Sequence, residues 1–318
     1  MTHRVAVIIP CHNEETTIAK VVADFRRELP QASIVVCDNN SDDLTSERAR
    51  SAGALVIHEP RQGKGWAVNR LFDAVDADYY VMVDGDGTYE AADVHALLAP
   101  VVAGRAHMTV GQRVEPAGTD AFRRFHRFGN RLIRSSINLL FRVDLRDILS
   151  GYRVFDGTLV RELPLLSEGF ELETEITLQA LDKGVIVQEI PSKYYSRIQG
   201  SLSKINTVSD GILLMRTIFM MFKDYRPLAF FGTLSFIMIF VGIAMGTIPV
   251  LEFMETRNVR HVPTAILAVG VVLSGITCFA TGLILDSINR RQRENYKLIA
   301  KLTSGKAARA RVRDPARG

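Results

Sequence analysis

Cysteine is scarce in this chain: Cys11, Cys37 and Cys278 are the only three in 318 residues. The number is odd and no Cys-x-x-Cys pair occurs, which excludes a disulfide framework and a cysteine zinc site and fits a reducing compartment. Phosphate-binding glycine fingerprints are missing as well. No Gly-x-Gly-x-x-Gly follows the first apolar stretch and there is no Walker sequence, so a dinucleotide fold and a P-loop enzyme are excluded. A secretory leader is not expected, because Val5–Pro10 is too short for its apolar core and runs into a polar, acidic segment. The last shortage is local. Leu228 to Leu251 carries no charge over 24 positions, and Pro263 to Leu285 carries none over 23.

Each of those two runs is long enough to cross a hydrocarbon core as a helix, and only Glu252 to Val262 separates them. They predict a transmembrane helical hairpin. Lys223 and Arg226 precede it, and Arg290, Arg291, Arg293, Lys297 and Lys301 follow it. In the connecting loop Arg257 and Arg260 are offset by Glu252 and Glu255. The positive-inside rule then puts both termini in the cytoplasm. The chain as a whole is 47% hydrophobic and 23% charged, with a formal charge of +4, enough for one large α/β domain beside the hairpin.

That domain shows itself through apolar runs that end in polar motifs. Residues 4–9, Ser33 to Cys37, Leu55 to His58 and Tyr79 to Val83 read as strands covered on both faces. Helical spacing of Ile18, Val21, Val22 and Phe25 intervenes after the first. Strand, helix, strand with short links predicts a parallel sheet, in which ligands sit beyond the carboxyl ends of the strands. Cys11–Thr17, Asp38–Asp43 and Asp84-Gly85-Asp86 all fall there. Two carboxylates one residue apart repel unless a cation sits between them. Hard oxygen donors suit Mg²⁺ or Mn²⁺, which usually arrive with a phosphate. Isolated, the motif reads equally well as a turn rich in Asp and Gly. Arg61-Gln62-Gly63-Lys64-Gly65 is a short basic loop that can bring Lys64 near a diphosphate.

Ile9-Pro10-Cys11-His12-Asn13-Glu14-Glu15, Val36-Cys37-Asp38-Asn39-Asn40-Ser41-Asp42-Asp43, Arg61–Gly65 and Asp84-Gly85-Asp86, in that order, resemble the motifs of glycosyltransferase family 2, over about residues 4–205. Within it the chain is most similar to polyprenyl-phosphate sugar transferases such as dolichyl-phosphate mannose synthase and bacterial relatives with a transmembrane hairpin. The resemblance implies a GT-A fold, an α/β domain whose mostly parallel sheet is flanked by helices. It implies that Pro10 and Glu14 line the nucleotide site, that Asp38 contacts the base or ribose, and that Asp84 and Asp86 reach the sugar diphosphate, with Asp86 the direct metal ligand. Relatives often carry Gln two residues after the second Asp; Thr88 stands there instead, leaving the metal one protein ligand short.

Residues 121–142 combine an apolar stripe, including Phe122, Ile137 and Leu140, with six arginines and no acid. Such a basic amphipathic helix reads as a membrane-surface element, with a core helix as the plainer alternative. No groove-reading motif accompanies the charge, so nucleic acid is not expected. By family resemblance Arg113, Arg123 and Arg124 meet the phosphate of a lipid acceptor. Asp147, in Asp144–Arg153, matches the family's acid near the reacting sugar. For sugar or protein acceptors that acid is a general base; a phosphate acceptor is already an anion, so Asp147 is open between base and orienting group. Glu173 reads as a sugar-hydroxyl contact or as plain helix-start charge. Tyr195–Lys204 resembles the family's Arg…Gly-x-Ser-Lys loop with one residue inserted, and Arg197 and Lys204 would neutralise the leaving diphosphate or hold the acceptor phosphate.

The expected organisation is a catalytic domain over residues 1–205, a juxtamembrane amphipathic helix over 206–227, the hairpin over 228–287 and a basic cytoplasmic tail over 288–318, disordered from Thr303 onward. The expected activity is inverting transfer of a hexose from a nucleotide-diphosphate sugar, preferably a UDP-sugar, to polyprenyl (undecaprenyl) phosphate at the plasma membrane, with a divalent metal and in a homo-oligomer. A membrane-tethered binding protein without catalysis is the alternative from another class. A processive polysaccharide synthase is disfavoured because the lone Trp66 cannot supply a Gln-x-x-Arg-Trp motif.

Overall fold

The computed structural model describes residues 3–114, 132, 134–165, 172–195, 219–220 and 222–313. The chain forms two compact units, Met1–Leu214 and Met215–Gly318.

The first unit contains β1 (Val5–Cys11), α1 (Ile18–Glu28), β2 (Ser33–Asp38), α2 (Thr45–Ser51), β3 (Leu55–His58), α3 (Lys64–Ala74), β4 (Tyr79–Met82), α4 (Val94–Val102), β5 (Met108–Val114), β6 (Arg153–Asp156), α5 (Gly157–Arg161), α6 (Leu172–Lys183) and β7 (Val187–Lys193). The strands form one sheet in the order β3-β2-β1-β4-β6-β5-β7. β1 is near its middle, which explains its unbroken apolar sequence. Ala6 and Ile8 face a core built on Ala67, Val68, Leu71 and Phe155. Val7 and Ile9, alternate in the pleat, face Ile18, Val22, Phe25 and Leu97.

β3, β2, β1 and β4 run parallel to one another, and β5 pairs parallel with β7. β6 is inserted antiparallel between β4 and β5. This reversal puts the start of β6 beside the end of β4, with Arg153 opposite Met82. The loop before β6 therefore reaches the same rim as the parallel strand ends. The last strand lies a little later than the sequence predicts, at Val187–Lys193 rather than from Val185 to Ile190. It pairs with β5 through Lys193, and Pro191 is tolerated because β7 is an edge strand. Of the stretch 121–142, residues 134–141 are helical, with Ile137 and Leu140 buried; the remainder falls mostly outside the described residues.

The second unit is a helical hairpin, α7 (Pro227–Thr256) and α8 (Val262–Arg313). Both helices are long and apolar enough to cross a membrane. Ser235, Gly242 and Pro249 on α7, and Ala268, Gly275 and Gly282 on α8, are buried at seven-residue intervals. An added Cβ at Gly242 would lie 2.7 Å from Val272, and one at Gly275 would lie 2.8 Å from Ile239. Small residues thus let the two backbones approach, as packing in lipid favours. The turn is shorter than the charge pattern suggests. Glu252 stays helical and its carboxylate accepts from the Arg260 and His261 amides at 3.0 and 3.2 Å, tying the helices together across the bend. At the other end α8 continues to Arg313, where composition predicts a disordered tail; its low glycine and proline content up to that point permits the helix.

Gly157 is a point where the fold has no slack. Its amide donates to the Asp78 carbonyl at 2.7 Å, and an added Cβ would lie 2.5 Å from the Ala77 carbonyl oxygen. Gly157→Ala is expected to cost about 1–3 kcal/mol of stability. Thermal unfolding of the detergent-solubilised protein measures it, and an unchanged midpoint would show that the β4–α5 junction yields.

Candidate active site

Three loops at the strand ends are laced to one another before any ligand is considered. Asn13 adopts φ 55°, a left-handed geometry that asparagine tolerates. Its amide donates to Ser41 Oγ at 3.0 Å, and its side-chain oxygen accepts from the Asp42 amide at 2.9 Å. The next amide, of Glu14, donates to Thr45 Oγ1 at 2.8 Å. Asp38 closes its own turn, accepting from the Ser41 amide at 3.0 Å and from Ser46 Oγ at 2.5 Å. Burial works against its charge, but these donors and His58 outweigh it and hold its pKa below the usual value. The carboxylate expected to meet a base or ribose is thus already engaged in shaping the loop. Pro10 is buried in β1 opposite Cys37.

Asn39 joins the third loop. Its amide nitrogen donates to the Glu59 and Arg61 carbonyls at 3.1 and 2.6 Å, and its oxygen accepts from the Gly63 amide at 2.7 Å. Gly63 has φ 147°, a conformation open to glycine, and directly precedes α3. Lys64 is consequently the first residue of that helix.

The Lys64 ammonium lies between two carboxylates, donating to Asp84 Oδ1 and Glu173 Oε1 at 2.5 Å each. Burial disfavours its charge, yet Asp84 and Glu173 more than compensate and its pKa is raised above the ordinary lysine value. Gly151 presses on Asp84 from the other side, leaving no room there for a Cβ. Asp86 is 6% exposed, and its Oδ1 accepts from both the amide and the hydroxyl of Thr88, at 3.1 and 2.7 Å. Thr88 therefore orients the second aspartate. Thr17 ties the start of α1 to this turn by donating to the Gly85 carbonyl at 2.7 Å. Glu14 sits over Gly85; its Oε2 is buried without a hydrogen-bond partner.

Asp147 is held by Arg113 in a two-pronged pair, Nε to Oδ2 and Nη2 to Oδ1, both 2.8 Å. The Arg113 amide also donates to Oδ2 at 2.9 Å. Burial opposes the Arg113 charge, and Asp147 reverses that and raises its pKa. The structure thus brings together Glu14, Lys64, Asp84, Asp86 and Glu173, places Asp147 on Arg113, and leaves Asp38 as a loop organiser. Arg123, Arg124, Arg197 and Lys204 lie outside the described residues. Among the described residues no three His, Cys, Asp or Glu side chains converge at metal-ligand spacing. Asn39, Tyr89 and Arg153 were not legible as site residues. Asn39 stood in a polar motif but drew attention only through its neighbour, whereas Tyr89, which accepts from the Gly151 amide at 3.0 Å, and Arg153 carry no motif signal.

The Glu14 carboxyl offers a pH test. Burial first, then the charges of Asp86 and Asp84, push its pKa up from 4.5 to about 8. Because the folded-state value is raised, its contribution to stability is fully present below 4.5 and is lost as pH rises through about 8. In chelator-treated protein, the wild-type unfolding temperature is expected to fall relative to that of Glu14→Gln across that range. Parallel curves would mean that Glu14 is ionised throughout.

The sequence and fold were compared with known proteins. The sequence profile of glycosyl transferase family 2 matches residues 6–163. Glycosyltransferase AglJ of Haloferax volcanii is 34% identical over 299 residues, covering 94% of this chain and 98% of the relative. A dolichyl-phosphate hexose transferase of the same organism is 29% identical over 213 residues, covering 67% of this chain and 91% of the relative. Glucosyl-3-phosphoglycerate synthase from Mycobacterium tuberculosis, crystallised with Mn²⁺ and UDP-glucose, has the same fold at TM-score 0.56 and 20% identity, covering 70% of this chain and 78% of the other. A rim of acids at the parallel strand ends, on this sheet and with a relative matched almost end to end, places the chain in glycosyl transferase family 2, as a glycosyltransferase.

Proposed function

We propose that the chain moves one hexose from a nucleoside-diphosphate sugar, a UDP-sugar by preference, to a polyprenyl phosphate such as undecaprenyl phosphate at the cytoplasmic face of the plasma membrane. The observation that carries this reading is the coexistence in one chain of the Lys64–Asp84–Glu173 cluster and two membrane-length apolar helices. The similarity to a dolichyl-phosphate hexose transferase supports a lipid-phosphate acceptor. In this reading residues 1–205 catalyse, 206–227 lie along the interface, 228–287 span the membrane, and the basic flanks keep both termini cytoplasmic. The assembly is a homo-oligomer.

The acceptor phosphate oxygen attacks C1 of the sugar from the face opposite the leaving group. The C1–O bond to the nucleoside diphosphate breaks, its electron pair leaves on the β-phosphate oxygen, and the anomeric configuration inverts. Glu14, Asp84 and Asp86 crowd the rim with one lysine as counter-charge, and the orphaned Glu14 Oε2 fits a site that takes a further cation. Asp84 and Asp86 would hold Mg²⁺ or Mn²⁺, with oxygens of the donor filling the remaining positions in place of a third protein ligand. When bound, the metal supplies charge that stabilises the departing diphosphate. Pro10, Glu14, Asp38 and Lys64 shape the donor side. Arg113, Arg123 and Arg124 receive the acceptor phosphate, and Arg197 and Lys204 offset the charge of the two anionic reactants.

An acceptor that is already an anion needs no proton removed. Asp147, bonded to Arg113 through both oxygens, serves in this reading to orient that arginine. Asp147→Asn is therefore expected to lower kcat by less than about 100-fold, whereas a general base contributes about 10²–10⁴-fold; a larger loss restored at high pH would identify a base.

The decisive assay supplies radiolabelled UDP-, GDP- and other nucleotide sugars to membranes containing the full chain and polyprenyl phosphate. A labelled lipid is the expected product, and saturable donor binding without product would favour a binding protein. Asp86→Ala is expected to abolish product formation, and near-normal turnover by that variant would refute its role on the metal.

A further inference from the structure

Among the described residues Arg153 is the largest fully buried side chain, at 0% exposure. Unlike Arg113, it makes no hydrogen bond to a carboxylate among the described residues. Nε donates to the Ser150 carbonyl at 2.9 Å, and Nη2 donates to the Ile148 carbonyl and to the Glu173 carbonyl, the latter at 3.0 Å. Nη1 donates to Thr177 Oγ1 at 2.9 Å and approaches Met108 Sδ at 3.8 Å. Burying a guanidinium without an ion partner is unfavourable by several kcal/mol unless its donors are satisfied. Here burial lowers its pKa to about 10, so it remains charged at neutral pH.

The acceptors say what this buried charge is for. Ile148 and Ser150 belong to the loop that starts with Asp147, bound to Arg113, and ends with Gly151, packed on Asp84. Glu173 opens α6 and holds Lys64 against Asp84. Arg153 itself pairs across the sheet with Met82, two residues before Asp84. One rigid fork therefore fixes, through main-chain carbonyls, the two segments that flank the first aspartate.

Accepting the sugar-transfer reading, we propose that Arg153 is a positioning residue for the transfer step: it locks the Ile148–Gly151 loop and the start of α6 so that Arg113–Asp147 and Lys64–Glu173 keep a fixed distance from Asp84. The requirement is for a planar fork with several donors, which lysine cannot reproduce. Misplacement of reacting groups by about 1 Å can cost on the order of 100-fold in rate.

The test uses the full-length protein with Arg153→Lys and Arg153→Ala. Arg153→Lys keeps the charge and is expected to remain folded, with kcat lowered at least about tenfold and the donor KM changed less than about threefold. In Arg153→Ala, millimolar guanidinium is expected to restore part of kcat, while methylammonium is not. Full kcat in Arg153→Lys, or a loss that merely tracks the folded fraction measured by thermal unfolding, would overturn the proposal. Should Arg153→Ala not fold, Arg153→Lys decides alone. Wild-type enzyme separates this proposal from the one beneath it: if wild type makes no labelled lipid, the acceptor assignment fails, and the same kcat comparison is made on donor hydrolysis, which needs no lipid.

Discussion

Among the described residues, the Lys64 ammonium is what binds the acids of the rim to one another. It opens α3, where the helix dipole disfavours a cation, so its position is stable only because Asp84 and Glu173 meet it on two sides. The dependence runs the other way too. Burial and then the charges of Asp86 and Asp84 push the pKa of the neighbouring Glu14 carboxyl up to about 8, a sign of how crowded the acids are around Asp84 even with the lysine in place. The lysine gets there through Asn39, which fixes Gly63, whose φ of 147° sets the start of the helix. A hydrogen bond from one loop thus decides where the counter-charge of another is placed.

The sheet supplies the remaining geometry. Had every strand run parallel, the residues before β6 would lie at the opposite edge from the acids. Reversal of this one strand returns Asp147 to Gly151 to the rim and sets Arg153 beside the end of β4. The same reversal lets Gly151 lie on Asp84, where a larger residue has no room. Glycine, antiparallel register and buried arginine are one arrangement, since the Ser150 carbonyl held by Arg153 precedes the glycine that touches the aspartate.

The parts of this molecule that could be read in the sequence are those set by local patterns. Apolar runs ending in polar motifs marked β1, β2, β3 and β4, and two charge-free stretches marked α7 and α8, because burial on both faces and membrane length each demand an unbroken apolar composition. Asp84 and Asp86 stand out in the sequence for the same reason: motif and strand end coincide. What stayed hidden depends on contacts distant in the chain. Lys64 and Glu173 are 109 residues apart, and nothing local links them. Nothing local sets Arg153 apart from other basic residues, and its burial follows only from β6 entering the middle of the sheet. Thr88 was legible as the loss of a ligand; its hydroxyl on Asp86 required the turn itself. The reach of α8 to Arg313 was obscured by a composition that suits both a helix and a solvated tail.

On the proposed function, Asp147 keeps the position of an acid but orients a cation instead of moving a proton. The Asp147 carboxylate receives three hydrogen bonds from Arg113, two from the guanidinium and one from the amide, so its oxygens are already engaged with the arginine. With a neutral hydroxyl as acceptor, that arrangement would waste the group. With a phosphate as acceptor, the need is reversed: the nucleophile is ready, and the difficulty is bringing an anion to a rim already lined by Glu14, Asp84, Asp86, Asp147 and Glu173. A rigidly oriented arginine answers that difficulty better than a base. Glu189 reinforces it by accepting the amides of Arg146 and Asp147 at 2.7 and 2.6 Å, so that even the backbone carrying the acid is fixed from behind. On the proposed function, the acid's value lies in the direction it gives the Arg113 charge.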